Sequence, residues 1–357
     1  MNDKARALYA GVTIDRARAS ALPREAFISA GVFAAEIECV LKAGWLPVAR
    51  SSAIRNPGDY LCVDLLAMPL VITRDRHGGV HVLSRVCRHR GMPVVEGAGN
   101  RADFSCPYHL WRYDLDGRFL FAPAMDKSAT FDPANCNLFS IAHEEWGGWV
   151  FANLSGTAQP LAPQLAPLTA RLSGANPAQF VTATTLEFDS PWNWKVMVEN
   201  FLESYHHIGP HANTLQPFNP AFGTFATDDA GEFTILENPP ATPDGDAFVV
   251  VCIFPLTLIS ITESEIPWGV WYEFVALEQE RFLLRIHLLM TPAQAAVSAL
   301  VTRIAEIVRA IHIEDIAVCS GVQRGLNSPL YRSGPLSHLE GCLWHFHRFL
   351  QRCFASA

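Results

Sequence analysis

Apolar positions keep two different rhythms along this chain, and the change from one to the other marks its organisation. From Trp45 to Leu154 they come in short alternating or wholly apolar runs separated by Gly, Pro and Asp, which predicts short strands joined by tight turns. Leu70 to Thr73 is set to pair with Val80 to Leu83 across Asp75-Arg76-His77-Gly78-Gly79, and Trp111 to Leu115 with Phe119 to Phe121 across Asp116-Gly117. Ser155 to Gln179 is poor in charge and rich in Ala, Pro, Leu and Gly, and beyond it strand patterns fall near 181–188, 247–254, 257–262, 268–278 and 281–290. Helical spacing runs near 191–209, 296–323 and 337–352. The last helix carries a start signal: Ser337 and Glu340 form a capping box after Gly334-Pro335, and Leu339, Leu343, Phe346 and Leu350 recur at helical spacing. The pattern predicts an α+β protein with a helical lead-in over residues 1–44, an all-β domain over 45–155, and a larger domain over 156–357 built on a mostly antiparallel sheet.

Composition narrows the classes of function. With 357 residues, half of them hydrophobic, the chain can bury two cores and is too apolar to be disordered. A net charge of −8 without any long run of Lys and Arg argues against nucleic acid as a partner. The longest apolar stretch, Ala247 to Ile261, is interrupted by Pro255 and bounded by Asp246 and Glu263, so it reads as two core strands and not a membrane span. Met1 to Gly11 lacks an apolar core of signal-peptide length. Nine cysteines at irregular positions do not form a secreted disulfide framework and point to a reducing cytoplasm. Cys39, Cys252 and Cys319 lie among apolar residues, as small core side chains do.

Cys87 and Cys106 differ, because each has a histidine close by. Cys87-Arg88-His89 is followed after sixteen residues by Cys106-Pro107-Tyr108-His109, placing one Cys/His pair on each of two successive loops. A Rieske centre needs thiolates on one iron and imidazoles on the other, which two mixed loops supply. Tetrahedral zinc would accept the same four donors, although zinc frameworks usually open with Cys close to Cys. Cys62, His77 and His81, nearby in sequence, read as packing or surface residues.

A second set of donors lies in the larger domain. Glu203 and His206, three residues apart, would lie side by side on a helix, and Gly209-Pro210 should break that helix and swing His211 back toward His206. Two imidazoles and a carboxylate on one face of a ferrous ion leave positions open for dioxygen and substrate. For the carboxylate, the stripe Val297, Val301, Ile304, Val308, Ile311, Asp315, Val318, Val322 is apolar at every step but Asp315. A buried carboxylate is expensive unless paired or metal-bound, so Asp315 is either a ligand or the partner of an arginine such as Arg309 or Arg324. Glu314 is off the stripe and reads as a solvated or hydrogen-bonded neighbour, and His207, His287, His312, His338, His345 and His347 carry no assigned role.

On these motifs, Cys-x-His with Cys-x-x-His at Cys87, His89, Cys106 and His109, and Glu203-x-x-His206-x-x-x-x-His211 with Asp315 downstream, the chain resembles the Rieske non-haem iron oxygenases from Trp45 to Phe349. Met92 and Tyr108 stand where respiratory Rieske proteins carry an extra cysteine pair, and Leu110 stands where the family commonly has Gly before Trp111. The resemblance implies the terminal oxygenase component, with a helix-grip catalytic domain, a 2Fe-2S cluster on the four Cys and His ligands, and mononuclear Fe(II) on His206, His211 and Asp315. It implies a head-to-tail homotrimer in which Glu203 links His109 of a neighbouring subunit to His206; Asn200 and Tyr205, close to His206 in the sequence, are expected beside the iron, as catalytic groups or as groups that only shape its surroundings. Most relatives use Asp at the Glu203 position; Glu occurs in relatives acting on carnitine or glycine betaine, so a quaternary ammonium substrate is expected alongside an aromatic one. The outcome would be mono- or dihydroxylation or oxidative N- or O-demethylation. Electrons from NAD(P)H would arrive through a separate flavin reductase, with or without a ferredoxin, since no nucleotide-binding glycine pattern appears. Phe201, Phe254, Trp268, Tyr272 and Phe274 are pocket candidates or ordinary sheet-to-helix packing, the last three sharing one strand face. The competing functional reading is a Rieske electron carrier fused to a ligand-binding domain without oxygenase activity.

Overall fold

The computed structural model describes residues 3–227 and 231–355. Its contacts divide the chain into two compact units: residues 47–159 form one, while the other is assembled from residues up to 46 together with those from 160 onward. No helix among the described residues is long and apolar enough to cross a membrane.

The unit of residues 47–159 is all β. One antiparallel sheet runs in the order Val80–Ser84, Met68–Arg74, Asp59–Leu65, Ala98–Asn100, and two three-stranded sheets accompany it. Both expected hairpins form, with Leu70 opposite Ser84 and Arg74 opposite Val80 in the first, and Tyr113 opposite Phe119 in the second. Side chains alternate across a strand. Leu70 and Ile72 therefore enter a core with Val48, Val82 and Val150, while Val71 enters another with Phe104, Tyr113, Cys87 and Cys106. Being buried on both faces, this strand carries no polar alternate, and its one hydroxyl, on Thr73, donates to the carbonyl of Leu115 at 2.6 Å. The turn that follows is held by Asp75, whose Oδ1 accepts the backbone N–H groups of His77 and Gly79, both at 2.8 Å.

The second unit is built on a seven-stranded antiparallel sheet in the order Val181–Ser190, Arg281–Met290, Gly269–Glu278, Thr257–Glu263, Ala247–Ile253, Phe233–Asn238, Phe225–Ala226. The long apolar run is two neighbouring strands on either side of Pro255. Gly269 lies so close to the next strand that a Cβ would stand 2.7 Å from the carbonyl oxygen of Ser260, which only glycine avoids. The long helix Ser298–Leu326 packs against the edge strand Val181–Ser190 and the helix Trp194–Phe201. The helix Asp3–Ala10 packs on Gly341–Ala355, where Tyr9 stacks on Phe354 with ring centroids 4.8 Å apart. At the centre of that packing the carboxylate of Glu36, fully buried, accepts from Tyr9, from Trp194 Nε1 at 3.0 Å and from Lys195 Nζ at 2.8 Å.

Three local expectations change. The helix expected over 191–209 ends at Phe201, and His206 sits in a separate short 3₁₀ turn, Tyr205–Ile208. Side chains compete with the backbone there: the Glu203 carboxylate takes the His206 N–H at 2.9 Å, and Ser204 donates to Asn238 Oδ1 at 2.6 Å. The last helix begins at Gly341, because the Ser337 hydroxyl accepts from Leu339 and leaves its half of the capping box unmade. Finally, the buried stripe of the long helix runs Ile304, Val308, His312, Asp315, Cys319, Gln323, Leu326, while Val297 and Val322 are exposed.

Candidate active site

In the β unit the two Cys/His loops are shaped by their own backbones. The carbonyl of Cys87 accepts from Gly91 and its N–H donates to Met92; likewise the carbonyl of Cys106 accepts from Leu110 and its N–H donates to Trp111. This brings the two thiols together in the core, Cys87 and Cys106 both being buried. The Tyr113 hydroxyl accepts the Arg88 N–H at 3.1 Å and lies 3.3 Å from Cys87 Sγ, so it can donate to a thiolate there. The rings of His89 and His109 stand 4.7 Å apart, and His89 is stacked on Trp111. Both Nδ1 atoms are buried without any hydrogen-bond partner. Orphaned buried nitrogens are rare, and a pair of them on the same two loops as two buried thiols is the donor set that an iron-sulfur cluster with two imidazole ligands requires. Burial, with the charges of His109 and Arg90, lowers the pKa of His89 and keeps it a neutral donor.

Leu110 occupies the place where the resemblance leads one to expect glycine. It adopts a left-handed conformation, φ 59°, with its side chain 59% exposed. Leu110 thus holds its place in the loop at the cost of backbone strain.

In the larger unit His206, His211 and Asp315 converge, with their ligand atoms within 4.8 Å of one another. Asp315 Oδ1 lies 3.0 Å from His211 Nε2 and 3.6 Å from His206 Nε2. Each imidazole is oriented by a carboxylate on its far side: His206 Nδ1 meets Glu203 Oε1 at 2.7 Å, and His211 Nδ1 meets Glu314 Oε2 at 2.6 Å. Thr214 also donates to Glu314, at 2.7 Å. Such carboxylate partners fix which ring nitrogen carries the proton and leave the other free for a metal. Asn200 Nδ2 contacts Asp315 Oδ1 at 3.3 Å, and among the described residues no arginine pairs with Asp315; Arg309 lies over the ring of Phe188 instead. Burial alone would raise the Asp315 pKa, but the hydrogen bond and charge of His211, with the charges of His206 and His312, leave it below the usual carboxylate value.

The triad opens onto a cavity of about 700 Å³ lined by aromatic faces and carboxylates, among them Phe201, Phe248, Trp268, Tyr272, Glu203 and Asp246. Phe201 packs on Tyr272 with ring centroids 4.8 Å apart. Two pocket candidates lie elsewhere: Phe254 packs with Phe346 and Phe349, and Phe274 with Phe282. Phe274 shares a strand face with Tyr272 but lies farther along the strand, packed on Phe282 and outside the cavity lining. Tyr205 is exposed and does not line it either. Sequence reasoning missed Glu314 and Thr214 as partners of His211. Adjacent carboxylates on a helix point about 100° apart, and only the fold shows that both directions meet the same histidine. His207 also lines the cavity; burial pushes its pKa down to about 4, and its Nδ1 lies 3.0 Å from the carbonyl of Asn219.

Comparison with known proteins agrees with this geometry. Residues 178–356 match the family model of the ring hydroxylating alpha subunit, catalytic domain, and residues 44–132 match that of the Rieske [2Fe-2S] domain. The chain is 29% identical over 371 residues to the carnitine monooxygenase oxygenase subunit of Escherichia coli (strain K12), covering 93% of each. It is 26% identical over 343 residues to the chloroplastic choline monooxygenase of Spinacia oleracea, covering 92% of this chain and 77% of that one. A solved quaternary ammonium Rieske monooxygenase superposes with a TM-score of 0.87 at 24% identity, covering 97% of this chain and 98% of that one. Naphthalene 1,2-dioxygenase from Rhodococcus sp. superposes at 0.79 with 18% identity, covering 100% and 98%.

Proposed function

The chain belongs to the ring-hydroxylating oxygenase alpha subunits that carry a Rieske [2Fe-2S] domain, and on that premise we propose that it oxygenates a quaternary ammonium compound. It is the terminal oxygenase component, an oxidoreductase with a 2Fe-2S cluster and a mononuclear iron, and not a carrier fused to a ligand-binding domain. The observation that carries the substrate class is the cavity beside the triad, whose lining includes Phe201, Trp268 and Tyr272 together with Glu203 and Asp246. Aromatic faces and negative charge are what a cation that cannot donate hydrogen bonds binds to. The names of the carnitine and choline monooxygenase relatives support the same class.

Cys87 and Cys106 would hold one iron of the cluster, and the Nδ1 atoms of His89 and His109 the other. His206, His211 and Asp315 would hold the mononuclear iron. That iron, when bound, supplies open positions at which dioxygen is reductively activated. Glu203 and Glu314 hold the protons of His206 and His211 on Nδ1, so that each Nε2 keeps its lone pair for the metal. Asn200 steadies the Asp315 oxygen, and the aromatic wall excludes water. No catalytic role is proposed for Tyr205. Glu203 is also our choice for the bridge from the cluster of a neighbouring copy, supported by its bond to His206 at the cavity wall. A closed head-to-tail trimer, a separate flavin reductase with or without a ferredoxin, and a reducing cytoplasmic setting that suits nine free cysteines complete the proposal.

Metal and sulfide analysis with EPR on anaerobically purified, dithionite-reduced protein should give about three irons per chain and the Rieske signal. Oxygen uptake with a reductase should rise on adding an N-methylated ammonium compound. Zinc without inorganic sulfide would overturn the cofactor assignment, and stimulation by neutral arenes alone would overturn the substrate class.

A further inference from the structure

We infer that the substrate of this site is an ammonium cation carrying an aryl or alkyl substituent and no acidic group, so that a compact zwitterion is a poor fit. The inference rests on the quaternary ammonium reading above and narrows it.

The cavity has no counter-ion for a carboxylate. No lysine or arginine lines it among the described residues. Arg171 pairs with Glu237 and Glu263, Lys195 with Glu36, and Arg309 lies over the ring of Phe188. The neutral donors are largely committed as well. Asn219 Nδ2 serves the carbonyls of Asn238, Pro239 and Asp246, Ser204 donates to Asn238, Thr214 to Glu314, and Thr262 to the carbonyl of Trp268. A substrate carboxylate would therefore give up water for a wall bearing Glu203, Asp246 and Asp315, which repel it. Size points the same way. About 700 Å³ lies in the range of sites that enclose drug-sized ligands, and a cation as small as choline would leave most of this volume to water against an aromatic wall. Asp246, on the exposed stretch before the strand Ala247–Ile253, is the acidic group best placed to draw a cation in from solvent.

Isothermal titration of the anaerobic, iron-replete protein with benzyltrimethylammonium, L-carnitine and naphthalene tests this. The benzyl compound should bind about tenfold or more tighter than L-carnitine. Asp246→Lys should narrow that ratio by weakening the benzyl compound and strengthening L-carnitine, with an unchanged urea midpoint by tryptophan fluorescence and an unchanged iron content reporting intact folding of the larger unit. L-Carnitine binding as tightly as the benzyl compound, or no measurable binding of the latter, would overturn the inference. If L-carnitine is the tighter ligand the quaternary ammonium reading survives; if only naphthalene binds, that reading falls too.

Discussion

The two metal sites are built on opposite principles. In the β unit the candidate donors are shaped by backbone turns: two buried thiols, and two imidazoles whose buried Nδ1 atoms have no partner among the described residues. In the larger unit the donors arrive from distant segments, and each imidazole is held by a carboxylate before any metal comes. A centre of two irons and two sulfides fills its own space and needs only correctly spaced ligands. A single ion with open positions needs its ligand geometry imposed from outside, which the outer carboxylates do.

Removing a donor from the second site should break the contrast most completely. Asp315→Ala is expected to abolish turnover and lower iron content while leaving the Rieske EPR signal unchanged; loss of both signals together would show that the sites are not independent. Next comes the buried network of Glu36 with Tyr9, Trp194 and Lys195. Glu36→Ala strands the ammonium of Lys195 in the core, where burial already lowers its pKa, and should cost about 3–5 kcal/mol. Urea unfolding followed by tryptophan fluorescence should show that loss, while cluster absorbance follows the other unit separately. Glu314→Ala should weaken iron binding about 10–100-fold without moving the cluster potential, and Glu314→Gln should recover part of it. A chelator competition measures both.

The site in the β unit admits finer tests. Leu110→Gly should relieve the left-handed strain and raise the stability of the β unit by up to about 1 kcal/mol, since the exposed side chain contributes no packing. The smallest effect concerns acid. The hydrogen bond to His81, with those from Gly79 and His77, holds the Asp75 pKa down at about 2. A depressed carboxylate contributes stability that is present above its unfolded value of about 3.9 and is lost as pH falls through the folded value near 2. His81→Ala should therefore shift the acid unfolding midpoint of this unit slightly upward, which circular dichroism across pH 2–4 would detect.

Legibility followed the same division. The cluster ligands lie within two short loops whose spacing alone brings them together, and both hairpins could be read from turn chemistry. Asp315 was legible because a carboxylate on an apolar stripe needs an explanation, yet the true stripe continues through Cys319 and Gln323 and not Val318 and Val322. Residues at helical spacing do not say which of two adjacent faces the fold will cover. The early end of the helix at Phe201 was not legible, because Glu203 taking the His206 N–H competes with helix propagation and no periodicity records it. Nor could the pairing of Glu36 with Lys195 be seen, since 159 residues separate them.

That separation bears on how the protein is made. The β unit is an insertion in the sequence of the larger one, so a ribosome releases the cluster-binding loops as a finished module while its host still lacks most of its sheet. At about 5–20 residues per second, Glu36 waits roughly 10–30 s for Lys195 to be synthesised. Translation therefore orders the candidate sites: Cys87, His89, Cys106 and His109 are all synthesised before Asp315, the last residue of the candidate iron triad, has been polymerised.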